Sequence, residues 1–222
     1  MSEPWFDVAH LGHIELLTNK FEESLDFFVN VYGLTPSGRD ADSVYLRAWD
    51  DYEFHTLKLT RSDTTGMAHC GYRTSSEEAL MRRVAAIEKM GLGIGWTDGD
   101  LGHGPSYRFR SPDGHVFELY WQTNKYEAPD GEKPALKNVA QRYHARGVAP
   151  RRIDHFNLLA TDVSKMRDFM VEAMGSRVTE MIKLDNGRIG GCWFTVNNKS
   201  YDIAYTEDHS GAAGRFHHIT YA

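Results

Sequence analysis

The sequence predicts an α+β protein built from tandem βαβββ modules. Two observations predict it: the chain repeats itself, and each repeat alternates strand-like runs with an amphipathic helix. Gly12-His13-Ile14-Glu15-Leu16-Leu17 parallels Asp154-His155-Phe156-Asn157-Leu158-Leu159 at an offset of 142 (155 minus 13). With no gap, the same offset sets Asp26-Phe27 on Asp168-Phe169 and Gly33 on Gly175. A match that runs through a histidine, a helix and the glycine ending it reads as two copies of one unit.

Val8 to Leu17 reads as a strand, with β-branched and aliphatic residues around His13. Thr18 or Asn19 is expected to cap a helix in which Phe21, Leu25, Phe28, Val29 and Tyr32 fall at helical spacing before Gly33. Ser43 to Trp49 and Phe54 to Thr60 read as strands around the acidic turn Asp50-Asp51-Tyr52-Glu53, and Met67 to Arg73 as another. Ser75 or Ser76 caps a second helix running to Met90, with Leu80, Val84, Ile87 and Met90 on one stripe. Tyr107 to Arg110, the turn Ser111-Pro112-Asp113-Gly114 and Val116 to Trp121 make a hairpin that closes the N-terminal part, residues 1–122.

Residues 123–150 are polar, contain Pro129 and Pro134, and read as a connector. The second copy, 151–222, then gives a strand (Ile153 to Leu159), a helix (Val163 to Met174) and a strand (Arg177 to Leu184). The hairpin turn Asp185-Asn186-Gly187 follows, then strands Ile189 to Val196, Tyr201 to Tyr205 and Phe216 to Tyr221. By the first copy's pattern a further helix and strand pair is expected after Tyr221, so the C-terminal module reads as incomplete within this sequence.

A chain of 222 residues, 41% hydrophobic and 12% aromatic, can bury a substantial core. A net charge of −6 without a basic run excludes nucleic acid as the main partner. There is no apolar leader and no long apolar run, which predicts a cytoplasmic protein with no membrane partner. Cys70 and Cys192 are expected as small apolar fillers and not as a disulfide framework. The glycines of Gly91-Leu92-Gly93-Ile94-Gly95 and Gly102-His103-Gly104 read as loop residues, because they lack the strand-to-helix context of a phosphate site.

Histidines carry the chemistry. Arg215-Phe216-His217-His218-Ile219-Thr220-Tyr221 corresponds to Gly66-Met67-Ala68-His69-Cys70-Gly71-Tyr72 at an offset of 149 (218 minus 69). Neighbouring residues of a strand face opposite ways, so only one of His217 and His218 can share a pocket with His155, and the repeat selects His218. One strand histidine is as readily a hydrogen-bonded structural residue, but two at matching repeat positions on adjacent strands point to a metal. Imidazoles with one carboxylate and open positions form the facial triad of non-haem Fe(II) oxygenases. The first copy carries His13, His69 and Glu118 in the equivalent places. They are read as a relic, with Glu118 a strand-end carboxylate and His69 a packing residue, and His10, His103 and His115 as surface or supporting residues.

On these residues the chain resembles the two-module extradiol ring-cleaving dioxygenases of the vicinal oxygen chelate superfamily, which includes catechol and homoprotocatechuate 2,3-dioxygenases. The resemblance is carried by Val44-Tyr45-Leu46-Arg47-Ala48-Trp49, Ser111-Pro112-Asp113-Gly114-His115-Val116-Phe117-Glu118-Leu119-Tyr120, Arg152-Ile153-Asp154-His155-Phe156-Asn157 and Arg215-Phe216-His217-His218. It implies Fe(II) held by His155 and His218, with a glutamate near position 267 (218 plus the 49 that separate Glu118 from His69) as third ligand. It further implies Asn157 and Trp193 as substrate contacts, a catechol and O2 as substrates, a ring-opened semialdehyde as product, and a homo-oligomer.

Tyr201 departs from the pattern, because it precedes Asp202-Ile203-Ala204 where the family carries an acid/base histidine. Tyrosine donates a hydrogen bond, but a phenol with a reference pKa of about 10 is a poor base at neutral pH. His209 on the following loop is the weaker substitute. A non-catalytic protein of the same fold that sequesters a drug or small aromatic is the alternative reading. A glyoxalase-type isomerase fits the two-module layout less well.

Overall fold

The structure is a computed structural model that describes residues 6–137 and 139–222. It opens with β1 (Val8–Thr18) and α1 (Phe21–Asp26), which widens into a π-helical stretch over Phe27–Tyr32 and stops at Gly33 with φ of 95°. That left-handed geometry suits glycine, which has no Cβ to clash. Next come β2 (Thr35–Arg39), β3 (Ser43–Arg47), β4 (Leu57–Arg61), β5 (Gly66–Thr74), α2 (Glu77–Lys89), β6 (Gly93–Thr97), β7 (Ser106–Arg110) and β8 (Val116–Tyr120). These eight strands form one sheet in the order β2-β3-β4-β1-β5-β8-β7-β6. Two βαβββ units therefore meet along the antiparallel pair β1 and β5.

The rest of the chain gives β9 (Ile153–Ala160), α3 (Val163–Glu172), β10 (Arg177–Lys183), β11 (Ile189–Thr195), β12 (Ile203–Glu207) and β13 (Phe216–Tyr221). Their sheet runs β10-β11-β12-β9-β13, the order of β2-β3-β4-β1-β5. β9 is parallel to β12 and antiparallel to β13, as β1 is to β4 and β5. The sequence repeat is thus a repeat of topology.

One core joins the two sheets. Phe169 of α3 is fully buried against Phe109 and Phe117, and Tyr72 meets Phe156 with ring centroids 6.2 Å apart. Burying a phenylalanine contributes about 1.5–3 kcal/mol, so these rings weigh heavily in holding the halves together. Arg83 lies between the halves, fully buried. Its Nε donates to Asp7 Oδ2 at 3.0 Å and its Nη1 to the carbonyls of Glu172 and Ala173 at the end of α3. A cation there complements the negative end of the helix dipole.

Some expectations need correction. The cap of α1 falls on Lys20, and Thr18 Oγ1 instead accepts from the Lys20 amide and bonds to Ser24. Ser76 caps α2 as read, accepting from the Ala79 amide at 3.1 Å. Trp49 and Phe54 lie outside β3 and β4, and Tyr201 lies two residues before β12. β2 and β6 are additional strands, both at sheet edges, where pairing on one side tolerates the Pro, Gly and exposed positions that hid them. Among the described residues of 123–150 there are isolated bridges but no helix or full strand. Aromatic contacts pin this segment, with Tyr143 stacked on Trp49 at 5.3 Å and Arg47 over Tyr126. Among the described residues no helix is long and apolar enough to cross a membrane.

Candidate functional site

The sheet register assembles the second half's site. Trp193 on β11 stands opposite Ala204 on β12, Ala204 opposite Asn157 on β9, and Asn157 opposite His218 on β13. Residues opposite one another across a sheet share a face, and His155 shares it too, two residues before Asn157. His155 Nε2 and His218 Nε2 approach to 3.4 Å with their rings nearly perpendicular. His155 Nδ1 lies 2.6 Å from Asp154 Oδ2, and His218 Nδ1 lies 2.7 Å from His217 Nδ1. The Asp154 carboxylate accepts from an imidazole N–H, which leaves the Nε2 lone pair of His155 turned inward, the orientation a metal ligand needs. Burial, then the neighbouring His217 and His155, lower the pKa of His218, which favours the neutral, ligating form.

His218, and not His217, is the ring that approaches His155, though strict alternation is not the reason. A bulge between Phe216 and His218 brings the exposed His217 ring against the outer side of His218. Tyr201 packs edge-on against His155 at 4.6 Å between ring centroids. Asn157 exchanges hydrogen bonds with Thr206, Nδ2 to Oγ1 at 2.9 Å. Trp193 lies back over Gly191, where an added Cβ would sit 2.9 Å from the indole. His209 is exposed and pairs with Glu207. Tyr201 and His155 are thus in contact, whereas Asn157 and Trp193 occupy the same face and make their contacts along it.

A second cluster forms in the first half. His13 on β1 stands opposite Gly71 on β5, and Gly71 opposite Glu118 on β8. With no side chain at Gly71, the His13 ring lies across it; a Cβ there would meet His13 Cε1 at 2.3 Å. His13 Nε2 consequently reaches Glu118 Oε1 at 2.9 Å, and His69 Nε2 lies 3.4 Å from His13 Nε2 and 3.3 Å from Glu118 Oε1. Glu118 is therefore more than a strand-end carboxylate and His69 more than packing: the three donors converge in a group of metal-ligand spacing.

All three residues are 2% exposed or less. Burial lowers the pKa of His13. Burial alone would lower His69 as well, but Glu118 and Glu15 outweigh it and raise this imidazole to about 9. His69 Nδ1 is 2.8 Å from Glu15 Oε2, and Asn157 holds the matching place beside His218. His103 is no surface residue, since its Nε2 is 3.2 Å from Glu118 Oε1. His115, also buried, contacts the Arg215 carbonyl through Nε2. Gly71, Glu15 and Asp154 escaped the sequence reading; only the register puts a glycine under His13 and a carboxylate beside His69, whereas Asp154 reaches His155 from the neighbouring position of the chain.

No family model matches the chain. Among curated proteins it is 43% identical over 219 residues to a metapyrocatechase of Geobacillus stearothermophilus, spanning 99% of this chain and 67% of that protein. It is 36% identical to a manganese-dependent 2,3-dihydroxybiphenyl 1,2-dioxygenase of Geobacillus genomosp. 3, spanning 97% of this chain and 69% of the relative. The chain thus spans about two thirds of the length of these relatives. Among solved structures, the 2,3-dioxygenase LapB from a Pseudomonas species superposes with a TM-score of 0.86 at 26% identity, covering 98% of this chain and 76% of that one. A homoprotocatechuate 2,3-dioxygenase of B. fuscum gives 0.81 at 25%, covering 97% and 57%. The reading as a non-catalytic binder is not favoured. Paired imidazoles on matching strands of a repeated βαβββ fold, and relatives at this level of identity, agree: the chain belongs to the extradiol ring-cleaving dioxygenases, which open catechol rings with O2.

Proposed function

We propose that the catalytic centre is the His155 and His218 pair, that it takes Fe(II), and that the glutamate expected near position 267 completes its ligand set. The observation that carries this reading is the 3.4 Å approach of two Nε2 atoms on a face that also presents Tyr201, Asn157 and Trp193. The donor set suits a divalent first-row metal, since imidazole nitrogen suits iron and zinc and an added carboxylate admits manganese. His155 and His218 are half-buried, so a substrate can reach them, whereas the cluster at His13 is closed.

When bound, the metal supplies Lewis acidity toward the two catechol oxygens and a path for charge between ring and O2. Both oxygen atoms enter the product, one on each carbon of the broken ring bond. The protein's part is positional and protonic. Asp154 fixes the His155 tautomer, and Tyr201, packed on His155, offers a hydroxyl that donates a hydrogen bond to the reacting oxygens. Thr206 orients the Asn157 amide for a substrate oxygen, and Trp193 flanks the aromatic ring.

Residues 1–122, 123–150 and 151–222 serve in this reading as N-terminal part, connector and start of the metal-binding module. The cytoplasm is the proposed location, a reading that the free Cys70 and Cys192 support. Homo-oligomer formation is supported by the apolar edge of β10, where Met181 and Ile182 are about half exposed. The test is anaerobic reconstitution of the metal-free protein with Fe(II) or Mn(II), followed by catechol and air. The yellow ring-fission product should form faster with iron. Formation with manganese alone would overturn the choice of metal.

A further inference from the structure

We propose that His13, His69 and Glu118 bind a second divalent cation, buried and structural, in the first half of the molecule. Three donors, each about 2.1 Å from one ion, lie about 3.0–3.4 Å apart when the angles between them are about 90–110°. The observed separations are 2.9, 3.3 and 3.4 Å. Glu118 Oε1 lies within 3.3 Å of three imidazole nitrogens, those of His13, His69 and His103, more than the two lone pairs of one carboxylate oxygen can accept from in good geometry. A cation at the point of convergence turns the His13 and His69 nitrogens from crowded donors into fellow ligands of Glu118.

The surroundings are arranged as metal centres arrange theirs. Glu15 beside His69 Nδ1 fixes that ring with Nε2 inward, and Thr60 and Lys58 hold Glu15 in turn. Glu118 Oε2 accepts from Ser106 Oγ at 3.0 Å, which leaves Oε1 for the centre.

The site differs from the second half's in having no room for a substrate. His55, His103 and Tyr120 pack around His13 with ring centroids 4.6, 5.3 and 5.7 Å away. All three are buried. A set of two imidazoles and one carboxylate closed in this way holds a metal of the Zn(II), Mn(II) or Fe(II) class as a clasp between β1, β5 and β8, and does not turn over catechol.

The test uses the protein carrying His155→Ala and His218→Ala, stripped with chelator and titrated with Co(II), whose visible spectrum reports imidazole and carboxylate ligation. One equivalent should bind, with visible bands and a rise in melting temperature. Adding Glu118→Gln or Gly71→Ala should lower affinity at least 10-fold, the second by displacing His13 while leaving every ligand in place. Absence of Co(II) binding by the folded His155→Ala/His218→Ala protein would overturn the proposal, whatever the further variants do. Binding left unchanged by both Glu118→Gln and Gly71→Ala would overturn it as well.

Discussion

His155 and His218 face each other Nε2 to Nε2 at 3.4 Å, the separation that His13 and His69 keep in the other copy. The ring centroids are 5.5 Å apart in both pairs, at 80° and 86°. Two pairs from different positions of the chain share one geometry because each bridges the same antiparallel strand pair at the same register: Asn157 opposite His218, and Glu15 opposite His69. What differs is the neighbourhood. The first pair of the chain, His13 and His69, is sealed by aromatic and imidazole rings, and the second lies on a face that a ligand can reach.

Asp154 should therefore matter to metal binding without touching the metal. Asp154→Asn keeps the shape but loses the charged acceptor 2.6 Å from His155 Nδ1. Loss of such a supporting partner lowers metal affinity by roughly 10–100-fold. Metal titration of the variant checks this, with unfolding curves matching those of the unaltered protein as the control for fold.

Tyr201 provides a second prediction. If its hydroxyl is the donor beside His155, Tyr201→Phe should lower kcat by about 100-fold, the low end for a positioned acid or base, with KM little changed. Tyr201→His should raise turnover at neutral pH, because an imidazole both accepts and donates a proton there. Oxygen uptake under saturating catechol measures both; full activity in Tyr201→Phe would remove the residue from the mechanism.

The loop that brings His103 to Glu118 should weaken in acid. Asp100 sits in it, with Lys58 Nζ at 2.6 Å, the Tyr45 hydroxyl in contact and backbone bonds to His103. Burial would raise the pKa of Asp100, but Lys58 and Tyr45 more than offset it and hold the carboxyl below its usual range. A depressed carboxyl contributes stability that is present above its unfolded pKa of about 3.9 and is lost as pH falls through the folded value. Asp100→Asn should thus cost about 1.5–3 kcal/mol at pH 7, the worth of hydrogen bonds to a charged group. The gap should narrow below about pH 4 and close only once the pH is below the depressed folded value. Urea unfolding at pH 7 and pH 3.5 checks the sign.

Much of this was legible in the sequence, for physical reasons that can be named. The repeat gave the topology, because the offsets of 142 and 149 align β1 with β9 and β5 with β13, and equal strand order follows. That His155 and His218 come together was legible because each sits at a repeated place in a strand. The repeat also put His13, His69 and Glu118 at the equivalent places; that they still converge was not legible, since it depends on Gly71 leaving a gap that only the register reveals. The contact of His217 with His218 was hidden as well, because a bulge suspends the two-residue alternation on which strand reading rests. β2 and β6 went unread because edge strands carry Pro, Gly and exposed residues that mimic loops.

The most direct measurement is ring cleavage in two variants of the full-length protein, each reconstituted with Fe(II) under anaerobic conditions and then given catechol and air. One carries His218→Ala and the other Glu118→Gln. Oxygen uptake and the yellow product should vanish in His218→Ala, and should persist in Glu118→Gln with reduced thermal stability. Loss of activity in Glu118→Gln, with activity retained in His218→Ala, would place the chemistry in the first half and contradict the account.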